Sequence, residues 1–259
     1  MSSPLFPSST IQRHELPQRG DPSSYRRAAL RPDPVQAQIL ADSQEHWNAW
    51  VESHREAKVD LRGVCLNGRD LSRVNLSRAD LRGADIRGAN LSDASLAGAL
   101  LADADLAGAN LDGADLRGAF MPGVMLDGSS LRQARLRGAC LSAASLRNVR
   151  LAGADLTHAE CCWADFSGAL MCEARLWRAD VRAARFEKAD LTGSDLRSAC
   201  FLAASLAHSI LTGADLTDAN LCFANLQNAV MQNTVMDGAN RYRADFGDAF
   251  FVFAGGWAA

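Results

Sequence analysis

The groups able to do chemistry are few and dispersed. Five histidines stand at His14, His46, His54, His158 and His208, and no spacing among them suggests a Ser-His-Asp relay. Of seven cysteines, only Cys161, Cys162 and Cys172 cluster. A zinc site needs several Cys or His side chains converging on one ion. Cys161 and Cys162 are neighbours in a chain read below as extended, so one points inward and the other outward. There is no glycine-rich phosphate loop. The expectation is a chain with no catalytic, cofactor-binding or metal residues, and hence not an enzyme.

The composition agrees with a soluble globular protein: 48% hydrophobic, with a formal net charge of −3. No apolar run approaches the ~18 residues of a membrane span. The opening MSSPLFPSSTIQRHELPQRG is polar and broken by proline, unlike a secretory leader. With an odd number of irregularly spaced cysteines, reduced thiols in the cytoplasm are the simplest reading. No strongly charged tract marks a nucleic-acid surface. Residues 88–116 hold five aspartates and no base, and residues 129–150 hold five arginines and no acid.

What must position any functional group is a period of five. From Leu61 to Phe251, all 39 positions at intervals of five are large and apolar except Cys161 and Arg241. Two residues before each lies a second series, Val64, Val74, Ala79, Ala84 and onward, of Ala, Val, Ser or Thr except at Arg69. Even GADLRGAFMPGVMLDG, interrupted by Pro122, keeps Ala119, Met121, Val124 and Leu126 in register. Helices repeat near 3.6 and strands at 2, so neither accounts for this. A chain that turns a corner every five residues does, with a small residue near the corner and a large one filling the centre. Such coils must stack, because one coil cannot bury its own apolar side.

The wording Ala-(Asp/Asn)-Leu-x-x, as in ADLRG at 79–83, ANLSD at 89–93, ANLDG at 109–113 and ADLTG at 189–193, resembles the pentapeptide-repeat family over about three quarters of the chain. The resemblance implies an all-β solenoid: a right-handed quadrilateral β-helix with four pentapeptides per coil, hence about ten coils. At ~4.8 Å per coil the rod would be roughly 45–50 Å long. It also implies a protein-binding role. Some members look like duplex DNA and bind type II topoisomerases, protecting them from inhibitors. On that resemblance the expected partner is DNA gyrase or topoisomerase IV, bound as a DNA-shaped mimic conferring antibiotic resistance, with no direct nucleic acid and no membrane. The alternative is a structural scaffold or secreted effector with an unrelated protein partner.

Residues 20 apart then share a face. The Leu76 face carries an interior leucine ladder, and outside it Asp115, Arg135, Asp155, Arg175 and Asp195 alternate in sign, which predicts ion pairs one coil apart. On the Leu66 face the second residue after the centre reads Gly68, Gly88, Gly108, Gly128, which predicts type II turns. On the Leu61 face its equivalents become Ala143, Trp163, Ala183, Ala203, Phe223 and Arg243, which predicts another turn type there. That face also carries a lengthwise outer stripe of Leu100, Phe120, Cys140, Cys162, Trp163, Cys200, Leu202, Cys222, Phe223 and Tyr242. Of these, Phe120, Trp163, Leu202, Phe223 and Tyr242 form the candidate partner surface, unless the N-terminal segment covers it.

The ends divide the chain into four parts: a disordered extension over 1–32, a capping helix over 33–58, the solenoid over 59–254 and a tail over 255–259. Asp33 is a helix N-cap, Pro34 suits the first helical position, and one helix over 34–56 would cover the first coil through Trp47 and Trp50. At the other end Phe250, Phe251, Phe253 and Trp257 either cap the last coil or join two copies into a homodimer, as relatives do.

Overall fold

The computed structural model of the protein describes residues 30–251. Asp33 caps the first helix, α1 (Pro34–Asp42), its carboxylate accepting from the amides of Val35 and Gln36, and Pro34 opens it. The expected single helix is instead two. Ser43 is extended, with φ −164° and ψ 156°. It ends α1 and caps α2 (Gln44–Ser53), its hydroxyl accepting from the His46 amide. Serine competes for backbone partners in this way, and that favours a cap over a helix interior. The break lets each helix follow a different edge of the square below.

From Asp60 the chain repeats one unit, a single bridged residue followed by a tight turn. Four sets of parallel bridges begin at Asp60, Cys65, Asp70 and Asn75. Each joins residue i to i+20, and the last is Val230 to Phe250. Each side of the square is thus only long enough for one central residue between corners. The amide of Leu61 donates to the Asp80 carbonyl at 2.8 Å, and the Asp80 amide donates to the Val59 carbonyl at 2.9 Å. Nearly every backbone group is satisfied by the coil above or below.

Both apolar series point inward. Leu116 and Leu136 are 1% and 0% exposed, and alanines such as Ala79, Ala154 and Ala214 are fully buried. Phe166 and Phe186 stack with centroids 4.8 Å apart and 5° between planes, so the rings repeat at the coil spacing. Coverage fails only at the far end, where Met236, Phe246 and Phe251 are half-buried and Arg241 is exposed.

The corners overturn one expectation. Every residue two places after a centre, from Gly63 to Asp248, has positive φ, on all four faces. Ala143, Trp163, Ala183, Ala203, Phe223 and Arg243 lie between +54° and +59°. There is no second turn type: the i+3 to i hydrogen bond, as from Ala204 to the Phe201 carbonyl at 2.9 Å, recurs there too. The inward pair of residues fixes the corner angle, so the tight turn wins and non-glycine residues absorb the left-handed strain.

The expected ion-pair ladder is also replaced. Asp115, Arg135, Asp155, Arg175 and Asp195 stack as foreseen, but none of them pairs with the next in the column. Aspartates bond instead to an arginine two residues on, across their own inward leucine or, at Ile86, isoleucine: Asp60 to Arg62, Asp80 to Arg82, Asp85 to Arg87, Asp115 to Arg117 and Asp195 to Arg197, at 2.6–2.8 Å. Asp180 does the same with Arg182 across Val181 at 2.7 Å. Strand alternation puts residues i and i+2 on the same outer surface, and the guanidinium fork fits both carboxylate oxygens.

The helices close the first coil chiefly by hydrogen bonds. The Gln36 amide group donates to the Lys58 carbonyl and accepts from the Asp60 amide, at 3.0 and 2.7 Å. Asn48 accepts from the Asn75 amide, Gln44 donates to the Asp70 carbonyl, and the Trp47 indole donates to the Asn75 carbonyl at 2.7 Å. Leu40 and Trp47 are buried beneath, while Trp50 is half-buried, stacked between Trp47 and His54. An edge that would otherwise invite another chain is thereby matched group for group.

Candidate interaction surface

On a filled rod, any function lies on outward positions. The Leu61 face holds most of the exposed aromatic surface: Phe120, Trp163, Phe223 and Tyr242 are 47%, 66%, 49% and 59% exposed. Leu202 is only partly exposed, and Cys162, though outward, is buried. Trp163 and Phe223 occupy the strained corner position, with φ +59° and +58°. Positive φ is shared by every corner, so what sets these two apart is a large aromatic side chain where the other corners carry glycine, alanine or a polar residue. Between them in the same column stand Ala183 and Ala203, so two aromatic knobs flank a low floor.

Around Trp163 the face sinks into a depression of about 460 Å³ lined by Ser142, His158, Glu160, Cys162, Arg178, Asp180 and Arg182. Two of the lining residues also touch Trp177 beside the depression: His158 meets it edge-on at 4.9 Å and Arg178 covers it at 4.5 Å. Farther along, Phe223 and Tyr242 meet at 5.7 Å and 86°, and Arg243 stacks on both, 5.7 and 5.4 Å from their centroids. Trp, Tyr and Arg in shallow pockets are the residues that dominate protein-binding energy.

The same depression brings together a histidine, a thiol and carboxylates, and their chemistry is weak. Burial, with the neighbouring Asp180, pushes the Cys162 thiol up, so it is not held as the nucleophilic thiolate. Burial pushes Cys161 up further, inside the core. Among the described residues, no group of three His, Cys, Asp or Glu side chains could hold a metal ion. No helix among them is long and apolar enough to cross a membrane.

A second apolar row escaped the sequence reading. On the Leu71 face, Leu170, Ile210 and Phe250 are 47%, 39% and 53% exposed, and Val230 bridges the last two. Their position before the centre was legible in the repeat, but only the Leu61 stripe drew notice because it holds tryptophan. Phe250 therefore faces sideways and does not cap the end. Phe251 points inward and, with Met236, Arg241 and Phe246, lines an open apolar recess of about 390 Å³ at the last coil. Phe253, Trp257 and the 255–259 tail lie outside the described residues, as does the extension up to residue 29.

A family model for pentapeptide repeats (8 copies) matches residues 57–93, 94–133, 134–171, 144–187, 174–213 and 214–251. No curated protein matches the chain. Among solved structures, HetL, a pentapeptide repeat protein involved in heterocyst differentiation regulation from the cyanobacterium Nostoc sp. strain PCC 7120, is 29% identical. It has a TM-score of 0.51 over 81% of this chain and 98% of its own. A pentapeptide repeat protein of the Arabidopsis thaliana thylakoid lumen is 33% identical over 40% of this chain and 69% of its own, with a TM-score of 0.33. QnrB1, a plasmid-mediated fluoroquinolone resistance protein, is 19% identical over 73% and 90%, with a TM-score of 0.35.

Proposed function

The chain belongs to the pentapeptide-repeat family, whose members fold as right-handed quadrilateral β-helices, and on that premise we propose that it is a non-enzymatic interaction module. Its rod offers the Leu61 face to a protein partner. The observation that carries this reading is Trp163 and Phe223 held outward on strained corners, over an alanine floor and beside stacked arginines. The seven cysteines are unbridged, which supports a reducing compartment such as the cytoplasm. The open recess at Met236, Arg241, Phe246 and Phe251 supports a homodimer joined through the C-terminal coil, a joint that Phe251→Asp would break.

The specific partner suggested by the family resemblance is DNA gyrase or topoisomerase IV, shielded from inhibitors. A surplus of acids after Leu151 supports a negative rod. The pairing of aspartates with their own arginines opposes a DNA-like field, so binding rests on the aromatic face rather than on overall charge. An unrelated regulatory partner is the second reading, favoured by the similarity to HetL.

Supercoiling by gyrase in the presence of a fluoroquinolone tests this, with and without the protein. The expected result is protection by the native chain that is lost when Trp163→Ala and Phe223→Ala are combined. Protection that survives the double change removes the Leu61 face from the reading. No protection removes the topoisomerase and leaves the regulatory partner.

A further inference from the structure

Four charged side chains on and beside the Leu61 face have no ion pair or hydrogen bond among the described residues: Glu160, Arg178, Asp218 and Arg243. All four are exposed. Their placement is symmetric. Arg178 and Asp218 share one corner column, two coils apart, with Ser198 midway. Trp163 and the pair Phe223–Arg243 share the opposite corner column and are centred on the same level. Glu160 lies 38 residues before Ser198 and Arg243 45 after it, an offset of about a third of a coil, roughly 2 Å. At about 4.8 Å per coil, Arg178 and Asp218 are about 10 Å apart, and Trp163 and Phe223 about 14 Å.

We propose that this face is self-complementary and that its occupant is the same face of a second copy, antiparallel, about a two-fold axis at the level of Ser198. A two-fold lying across the two rods sets each residue against the one equally far on the other side of that level. Arg178 of each copy then meets Asp218 of the other, and Glu160 meets Arg243. Trp163 enters between the other copy's Phe223 and Arg243, stacking on both, while Phe223 drops beside Trp163 onto the Ala183 floor. The low corners at Ala183 and Ala203 let the backbones approach. Each of these four charges gains an opposite partner, and each contact occurs twice.

Five coils make a strip only about 24 Å long. A rod face of that length falls short of the ~800 Å² per partner that stable interfaces bury, so the pairing is weak and reversible. It rests on the reading of the Leu61 face as an interaction surface, and it makes that face available to another protein only when the pair dissociates.

Charge reversal tests the symmetry directly. Self-association is followed by sedimentation over a rising concentration series, and the length of the associated species by small-angle X-ray scattering. Phe251→Asp, which breaks the proposed end-to-end joint, is the background for every measurement, and this background chain should form a dimer barely longer than one rod. Arg178→Asp alone and Asp218→Arg alone should each weaken association by about tenfold or more. The double variant should restore it, because the same two contacts re-form with their signs exchanged. A Phe251→Asp background chain that stays monomeric, single charge variants that associate as it does, a double charge variant that remains monomeric, or a background dimer of twice the rod's length would each overturn the inference. A monomer that still protects its partner in the supercoiling assay leaves the proposed function intact.

Discussion

Every corner has the same left-handed residue, so glycine and alanine can be exchanged there in both directions with opposite expected signs. At Gly68, φ is +66° and an added Cβ meets nothing within 4 Å. Gly68→Ala therefore isolates backbone strain. The left-handed conformation costs a non-glycine residue about 1–2 kcal/mol, and removing glycine from the unfolded chain returns about 0.4–1 kcal/mol. The net expectation is a loss of about 0.5–1 kcal/mol on those two terms. Ala203, at φ +57°, is the mirror case, and Ala203→Gly should gain a similar amount. Gly63 is the severe case, because an added Cβ would lie 2.8 Å from the Leu30 carbonyl oxygen, a backbone atom that must move. Gly63→Ala should lose more than Gly68→Ala. Urea denaturation followed by far-ultraviolet circular dichroism gives the three midpoints. If Gly68→Ala is neutral or stabilising, or Ala203→Gly destabilising, the corners do not store strain and the argument built on Trp163 and Phe223 fails with them.

Leu136→Ala, at a position with 0% exposure, should cost about 2–5 kcal/mol and lower the same midpoint; a change under half a kilocalorie would mean the core can collapse around it. Trp47→Ala removes the buried plug and the bond to the Asn75 carbonyl, so hydrogen exchange of the Leu61–Asn75 amides should quicken before that of the Leu141–Asp155 amides; uniform protection would deny the helices a capping role. Stability should be level between about pH 5 and 8 and fall below about pH 4. The cause is the hydrogen bond from Arg62 to Asp60, from Arg117 to Asp115 and from Arg197 to Asp195, which holds each carboxyl below its ordinary value of 3.8, so its contribution is complete above that value and lost as acid protonates it. Alkali should also destabilise above the ordinary thiol value of 9.0, because burial raises Cys161 and an unfolded chain ionises it first; a melting temperature that falls less between neutral pH and pH 10 in Cys161→Ala than in the native chain would show this, the remaining fall belonging to Cys162 and Cys172, which burial also raises.

The interior was legible because burial constrains residue type strongly: an inward position admits only Leu, Ile, Met, Phe or the like, and the pattern is read at once from Leu61 to Met231. The corners were less legible. Glycine announces positive φ, but Ala203 or Arg243 does not, and only the geometry forced by the inward neighbours reveals that they share it. The Asp–Arg pairs were misread because stacking at i+20 was weighed without the shorter reach of i+2 across a single leucine. The break at Ser43 left a trace, since serine between two apolar stretches is a cap signal, though it is also an ordinary helix surface residue. The hydrogen bonds of Gln36, Gln44 and Asn48 to the first coil had no signal at all, because polar side chains on a helix give no sign of what they face. The charge symmetry about Ser198 appears only when corner columns are laid out in space.

The unbroken register from Asp60 to Phe250 gives the molecule the arithmetic of a screw thread. Twenty residues added or removed change its length by one pitch and leave every azimuth as it was. Five residues change the length by a quarter pitch and swing everything downstream through a right angle. A deletion of one pentapeptide between Phe120 and Trp163 would still fill the core, yet Trp163, Phe223 and Arg243 would then look out over a different quadrant from Phe120 and from Leu30 on its glycine seat. Azimuth, on this rod, is a quantity written in residue number modulo twenty.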